Sequence, residues 1–275
     1  MSKTPKLNAG EPEEVLYQIG DGIATITLNC PDRMNTISRR MLNRISECLV
    51  AANRDSEVRV VVLTATGRAF CAGLDLRRDE NGGSQGILDP NKAPATSIDL
   101  RDAPPTVLHG MNKPTICGLN GSAAGYGFDL ALGCDIRVIA DSAKLSAAFT
   151  KRGLVPESGG TWILPRLLGW AKAAELIFTG RTLNAEESLD LGLVSKIVPA
   201  KELEDAVLTL AREIAANAPL AVQASKRMMR MGLEETFPDH VHHVYLQLLP
   251  LMQTEDVKEG MRSFMEKREP EFKGR

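Results

Sequence analysis

Asn120-Gly121-Ser122-Ala123-Ala124-Gly125-Tyr126-Gly127-Phe128-Asp129-Leu130 stands directly behind the apolar run Thr115–Leu119 and leads into a helical pattern over Gly127–Gly133. A strand that ends in a glycine-rich bend and resumes as a helix is the basic connection of an α/β fold. Glycine lets the backbone turn sharply and lets another group come close. The first amides of the helix have no intrahelical acceptor, so they point outward and favour negative charge. A second segment has the same character: Gly67-Arg68-Ala69-Phe70-Cys71-Ala72-Gly73-Leu74-Asp75-Leu76 follows the run Val58–Thr64. One such bend is an ordinary strand-to-helix connection. Two in one domain, with a carboxylate downstream, look more like an anion site.

The surrounding sequence supports strand–helix alternation. Val58–Thr64 is a continuous β-branched run, as expected of a strand buried on both faces, and Thr115–Leu119 and Ile136–Ala140 are shorter versions of it. Val15–Ile19 and Ile23–Leu28 flank Gly20-Asp21-Gly22, a strong hairpin signal. Ser38 is a plausible N-cap for a helix that carries Met41, Leu42, Ile45 and Leu49 on one face. Thr161–Phe178 reads as a further helix. Beyond Pro199 only helical patterns occur: Lys201–Ala218, Leu220–Gly232, His240–Met252 and the short Val257–Lys267. The expected organisation is therefore a loose tail over 1–14, an α/β core over 15–198 and a helical region over 199–275. Arg77–Pro105 differs from the rest, holding Gly82-Gly83, Pro90, Pro94 and Pro104-Pro105 among many charges. It reads equally as a flap over the site or as a plain disordered insertion.

Bulk properties narrow the classes. The 275 residues suffice for one large core with or without a small appendage. A formal charge of −2 gives no general basic field, so neither nucleic acid nor an anionic membrane is an expected partner. The five cysteines are odd in number and no pair has C-x-x-C spacing, which fits a reduced, cytoplasmic setting better than a disulfide framework. No apolar run reaches the roughly 18 residues of a membrane span. Met1–Glu14 is polar and lacks the apolar segment of a secretory signal.

Several familiar motifs fail. There is no Walker loop, and Gly125-Tyr126-Gly127 lacks the third glycine of a dinucleotide fingerprint. Pro156-Glu157-Ser158-Gly159-Gly160 has proline where a nucleophile elbow needs glycine, which argues against Ser158 as nucleophile. His240 and His243 share a helix face, but no cysteine or carboxylate pattern completes a metal set, so no metal is expected.

The two bends carry a resemblance. Ala69-Phe70-Cys71-Ala72-Gly73-Leu74-Asp75-Leu76 resembles the A-F-x-A-G-x-D-[LI] motif of the crotonase (enoyl-CoA hydratase/isomerase) superfamily. The segment from Asn120 to Leu130 resembles that family's N-G-x-A-x-G-G-G-x-[ED]-L, and Cys134-Asp135-Ile136-Arg137 its C-D-x-R. Gly153-Leu154-Val155-Pro156-Glu157-Ser158-Gly159-Gly160-Thr161 is similar to G-x-x-P-x-x-G-G-[TS]. Thr179-Gly180-Arg181, Ala185-Glu186-Glu187 and Gly192-Leu193-Val194 also fit. The match runs from about Val15 to Phe272, in order. It implies a core built as a spiral of ββα units and a C-terminal helical region that packs trimers, often paired into hexamers.

The same resemblance implies an acyl-CoA thioester substrate, with coenzyme A as part of the substrate and no separate cofactor. Two backbone N–H groups, falling on Leu74 and Tyr126, would hold the thioester oxygen; Tyr126 replaces the usual glycine. The first hydratase glutamate corresponds to Asp129. The second falls on Phe149, which cannot transfer a proton, so a two-carboxylate hydration is compromised. Glu157 matches the site where dienoyl-CoA isomerases and ring-epoxide isomerases carry a carboxylate. The expectation is an isomerase with Glu157 as base, its pKa raised by apolar neighbours such as Phe149 and Val155, and Asp129 assisting or orienting a water. A hydratase using Asp129 and a weakly catalytic CoA-binding homologue are the alternatives. Arg33, Ala72, Asp75 and Leu76 would contact CoA, and Phe264 and Lys267 match a segment that often reaches a neighbour's nucleotide. Blander roles stand beside these: Asp129 as a cap or ion-pair partner, Glu157 as a cap of the helix near Gly160, Phe149 as ordinary core, Lys267 as a solvated charge and Cys71 as a buried filler.

Overall fold

Asp21 and Gly22 take φ of 52° and 74°, the left-handed pair that a tight hairpin turn requires. They join β1 (Val15–Gly20) to β2 (Ile23–Leu28) in the register Gly20↔Ile23. The computed structural model describes residues 13–76, 101 and 103–275. After β2 the Ser38 hydroxyl accepts from the Met41 amide at 3.0 Å and starts α1 (Arg39–Arg54), as its sequence predicts. There follow β3 (Val60–Ala65), β4 (Ala69–Cys71), α2 (Pro104–Gly110), β5 (Thr115–Leu119), β6 (Ser122–Ala124), α3 (Tyr126–Leu132), β7 (Ile136–Ala140) and β8 (Leu145–Ser146). Next come α4 (Gly160–Leu168), α5 (Trp170–Thr179), β9 (Thr182–Leu183), α6 (Ala185–Asp190) and β10 (Lys196–Val198). The chain then continues as α7 (Leu203–Ala215), α8 (Pro219–Met231), α9 (Phe237–Leu251) and α10 (Glu255–Glu266).

The strands form two sheets. One runs β1-β2-β3-β5-β7-β10 and the other β4-β6-β8-β9. The pairs β1–β2 and β8–β9 are antiparallel and the remainder parallel. Each of β3, β5 and β7 lies in the larger sheet, and the short strand that follows each lies in the smaller one. A helix then returns the chain to the next long strand. This is the α/β spiral of ββα units that the sequence motifs imply.

The β-branched runs are explained by burial on both faces of the larger sheet. On one side Val61 and Leu63 meet Met41, Ile45 and Leu49 of α1. On the other, Val60, Val62, Ile116 and Val138 meet Leu203, Val207 and Ala211 of α7. Full burial of such a Val or Leu side chain is worth roughly 1.5–3 kcal/mol, so α7 is a layer of this core. The change to helix after 199 is therefore real, but the first C-terminal helix is no detached appendage.

Two other readings change. The predicted helix over Thr161–Phe178 is two helices, because Gly169 takes φ 74° and breaks it. The strands β4, β6, β8, β9 and β10, each two or three residues long, were not foreseen. Of the tail expected over 1–14, residues 1–12 lie outside the described residues, and Glu13 and Glu14 are held against the core. Asn29 donates to the Glu13 carbonyl at 3.0 Å, and Glu14 binds Arg33 at 2.6 Å and Ser38 at 2.7 Å. Most of the Arg77–Pro105 flap lies outside the described residues, although Pro104 and Pro105 open α2.

Candidate active site

The two glycine bends are pressed together. A Cβ on Gly121 would lie 2.7 Å from the Ala69 Cα, and one on Gly127 would lie 2.5 Å from the Cys71 Cβ. A Cβ on Gly73 would come 3.3 Å from the Ala124 carbonyl oxygen and 3.9 Å from the Tyr126 nitrogen. At 121 and 127 only glycine permits the approach, and Gly73 takes φ 108°, which side chains rarely adopt. The first bend is also held from the N-terminal side. The Ile37 amide donates to Gly73 O at 2.8 Å, and the Asp75 amide to Ile37 O at 3.0 Å. Successive amides of an extended chain point to opposite sides, so the Leu74 N–H faces away from residue 37. Buried Asn35, at φ 52°, fixes the approach: its side chain accepts from Cys30 at 2.7 Å and donates to Thr66 and Ala69, each at 2.9 Å.

Tyr126 is the first residue of α3, where an amide has no intrahelical acceptor. Neither the Leu74 nor the Tyr126 amide makes a backbone bond among the described residues. Both residues line one cavity of about 560 Å³, of the size that holds a small-molecule ligand. The structure brings Arg33, Ala72, Asp75, Leu76, Phe149 and Glu157 to this same cavity. Met34, Thr36, Arg152 and Leu154 also line it, and the motifs did not single these out. Leu154 lies inside the Gly153–Thr161 motif, so only its role was hidden.

Three expected site residues sit elsewhere. Phe264 is 83% exposed near the end of α10, Lys267 caps that helix at φ 54°, and neither lines the cavity. Asp129 is only 1% exposed and is not among the lining residues. Its Oδ2 accepts from the Ser158 amide at 3.1 Å and the Gly160 amide at 3.3 Å. Its Oδ1 is buried without a partner among the described residues. Asp129 thus receives two backbone amides of the turn that leads into α4. Glu157 does not cap α4; the N-cap is Gly159.

Charge in the site follows burial. Desolvation pushes the Asp129 carboxyl up to about 7; the Gly160 and Ser158 amides pull it back, and nearby Glu157 adds a smaller upward push. Glu157 is also raised, chiefly by desolvation and opposed by its own amide and the Ser158 hydroxyl. Glu157 makes no ion pair among the described residues, whereas Arg33 lies 2.6 Å from Glu14 and 3.7 Å from Asp75. The Tyr126 phenol is raised by burial and then by Glu157, so it stays protonated. Phe149, 4% exposed, adds a buried aromatic side chain to the lining of the cavity. Two residues whose amides have no backbone partner, and a carboxylate with no ion pair among the described residues, thus line one cavity.

Comparison with known proteins points the same way. The profile described as enoyl-CoA hydratase/isomerase matches residues 18–275. A 1,2-epoxyphenylacetyl-CoA isomerase of Escherichia coli (strain K12) is 37% identical over 270 residues, covering 96% of this chain and 99% of the relative. An (E)-benzylidenesuccinyl-CoA hydratase of Thauera aromatica is 34% identical, covering 94% and 99%. The solved enoyl-CoA hydratase from Bacillus anthracis superposes with a TM-score of 0.84 at 31% identity, covering 96% of this chain and all of that one.

Proposed function

Since the chain belongs to the enoyl-CoA hydratase/isomerase family, we propose that it is an acyl-CoA enzyme that moves a double bond along an enoyl-CoA, with Glu157 as the base. The observation that carries this is the shared cavity: Glu157 lines it with Leu74 and Tyr126, while Asp129 does not. The thioester oxygen sits between the Leu74 and Tyr126 amides. Such preorganised donors in a dry site are worth about 3–4 kcal/mol each. Glu157 takes a proton from C2 of a 3-enoyl thioester, and the charge spreads over the dienolate held by the two amides. The same carboxyl returns the proton to C4, leaving the double bond conjugated at C2–C3. Its raised pKa suits a group that must accept and return a proton near neutral pH. Arg33, Asp75, Ala72 and Leu76 line the same cavity, which supports reading them as the contacts of the CoA moiety.

The assembly follows from the same reading. α9 buries none of its residues against the rest of the chain, and it exposes Phe237 at 80% and Leu249 at 57%. A homotrimer, or two trimers as a hexamer, covers these faces and brings Phe264 and Lys267 towards a neighbour's nucleotide. Among the described residues no helix is long and apolar enough to cross a membrane. A cytoplasmic location remains part of the proposal.

The test follows thioester absorbance with two substrates. With 3-enoyl-CoA the conjugated signal should appear. With crotonyl-CoA it should persist. Loss of signal from crotonyl-CoA alone, with no activity on the 3-enoyl substrate, overturns isomerisation in favour of hydration.

A further inference from the structure

We infer that Asp129 is a positioning residue: it fixes the turn that carries Glu157, and it takes no proton from substrate itself. This rests on Glu157 as the acting carboxylate. The peptide plane that contains the Ser158 amide also contains the Glu157 carbonyl, because the peptide unit is planar. Holding Ser158 N at 3.1 Å from Asp129 Oδ2 therefore fixes the backbone from which the Glu157 side chain projects. Gly160 N, at 3.3 Å, reaches the same oxygen from two residues further on. Gly159 lies between them at φ 110°, a conformation that lets both amides converge on one acceptor.

Among the described residues nothing else accepts from these two amides. The neighbouring bonds run from Trp162 and Ile163 to Gly159 O, and from Leu154 to Phe149 O. Ser158 is 5% exposed, so losing Asp129 would leave a buried amide unmet. The fit extends to side chains. A Cβ on Gly160 would press on Asp129 Oδ1 and come 2.9 Å from Pro156 Cβ, so Gly160 is the space that admits the carboxylate. The Ser158 hydroxyl acts on both Glu157 and the Tyr126 phenol, which ties this turn to the second bend. A displacement of about 1 Å in a reacting group can cost about a hundredfold in rate.

The test compares three variants, with hydrogen–deuterium exchange of peptides spanning 156–161 measured beside turnover. Asp129→Asn keeps an oxygen acceptor, so it should lose less than tenfold in kcat and keep the slow exchange. Asp129→Leu should lose at least a hundredfold in kcat, with KM within a few-fold, and exchange faster there. If that variant does not fold, Gly160→Ala displaces the carboxylate without removing it and should show the same pair of effects. An Asn variant as inactive as Leu, or a Leu variant with unchanged exchange, overturns the clamp. Full activity in Glu157→Gln together with the expected exchange pattern would instead remove Glu157 as base and leave the clamp standing.

Discussion

Gly127 packs its Cα against Cys71, so closely that an added Cβ would stand 2.5 Å from the cysteine Cβ and 2.8 Å from its sulfur. Cys71 ends β4 and Gly127 is the second residue of α3, so this contact sets the distance between the two bends. Both residues are fully enclosed, and neither neighbour can yield without moving backbone. Gly127→Ala should therefore displace the Tyr126 amide from Leu74. The expected outcome is a fall in melting temperature corresponding to about 1–3 kcal/mol of overpacking, with kcat down at least about a hundredfold. A variant of wild-type stability and activity would show that the bends tolerate separation.

Glu157→Gln should reduce kcat by about a hundred- to ten-thousandfold, the usual range for a lost general base, with KM for the thioester within a few-fold. In the wild type, kcat/KM should fall on the acid side as the base is protonated, with an apparent pKa above the usual carboxylate range because burial raises Glu157. A pH–rate profile that stays flat from pH 4 to 8 would assign proton transfer to some other group.

The long strands were legible because their chemistry is unambiguous over several residues. Thr115–Leu119 and Ile136–Ala140 fall where their apolar runs predict, each flanked by larger-sheet neighbours on both sides. β8 and β9 are two residues each, shorter than any periodicity, and exist because strands beside them offer free backbone groups. β10 has only three residues and is specified by the open edge of β7. Gly169 was hidden within an apolar pattern that continues through the break. For the site, motif spacing reached the residue types and the cavity that gathers most of them. It could not reach orientation: Asp129 and Glu157 are both carboxylates near one bend, and only the fold decides which faces the cavity. The pair Gly159-Gly160 was the available signal, since two adjacent glycines leave room for a buried acceptor.

Asp135 anchors α8 to the core. Its Oδ2 accepts from the Thr115 amide at 2.7 Å and from Lys226 at 2.6 Å, and its Oδ1 accepts from Arg230 at 3.2 Å. Lys226 is 8% exposed, and desolvation lowers its pKa against the pull of Asp135. Lys226 is buried but Asp135 is partly exposed, so leaving the ammonium without this acceptor costs about 1–3 kcal/mol. Asp135→Leu should lose stability of that order in urea unfolding. Adding Lys226→Met should recover part of it, since the stranded ammonium is then gone. No recovery in the double variant would place the loss in the Thr115 contacts instead.

Asp129 should make stability fall as pH rises. Burial pushes its carboxyl up to about 7 in the folded chain, from an ordinary value of 3.8. Between these values the folded state keeps a proton that the unfolded state has released, so folding is favoured less with each step up in pH. The charged form is fully penalised only above about pH 7, where the cost reaches at most about 4 kcal/mol. Glu157 is the titrating neighbour that acts on it, and burial raises that group too, so its contribution has the same sign. Asp129→Asn removes the larger part while keeping an acceptor for Ser158 and Gly160. The melting temperature of the variant relative to wild type should therefore climb from pH 4 to about pH 7 and level off above it. A constant difference across that interval would mean that Asp129 is ionised in the native protein at pH 4, with its two amide bonds outweighing the loss of water.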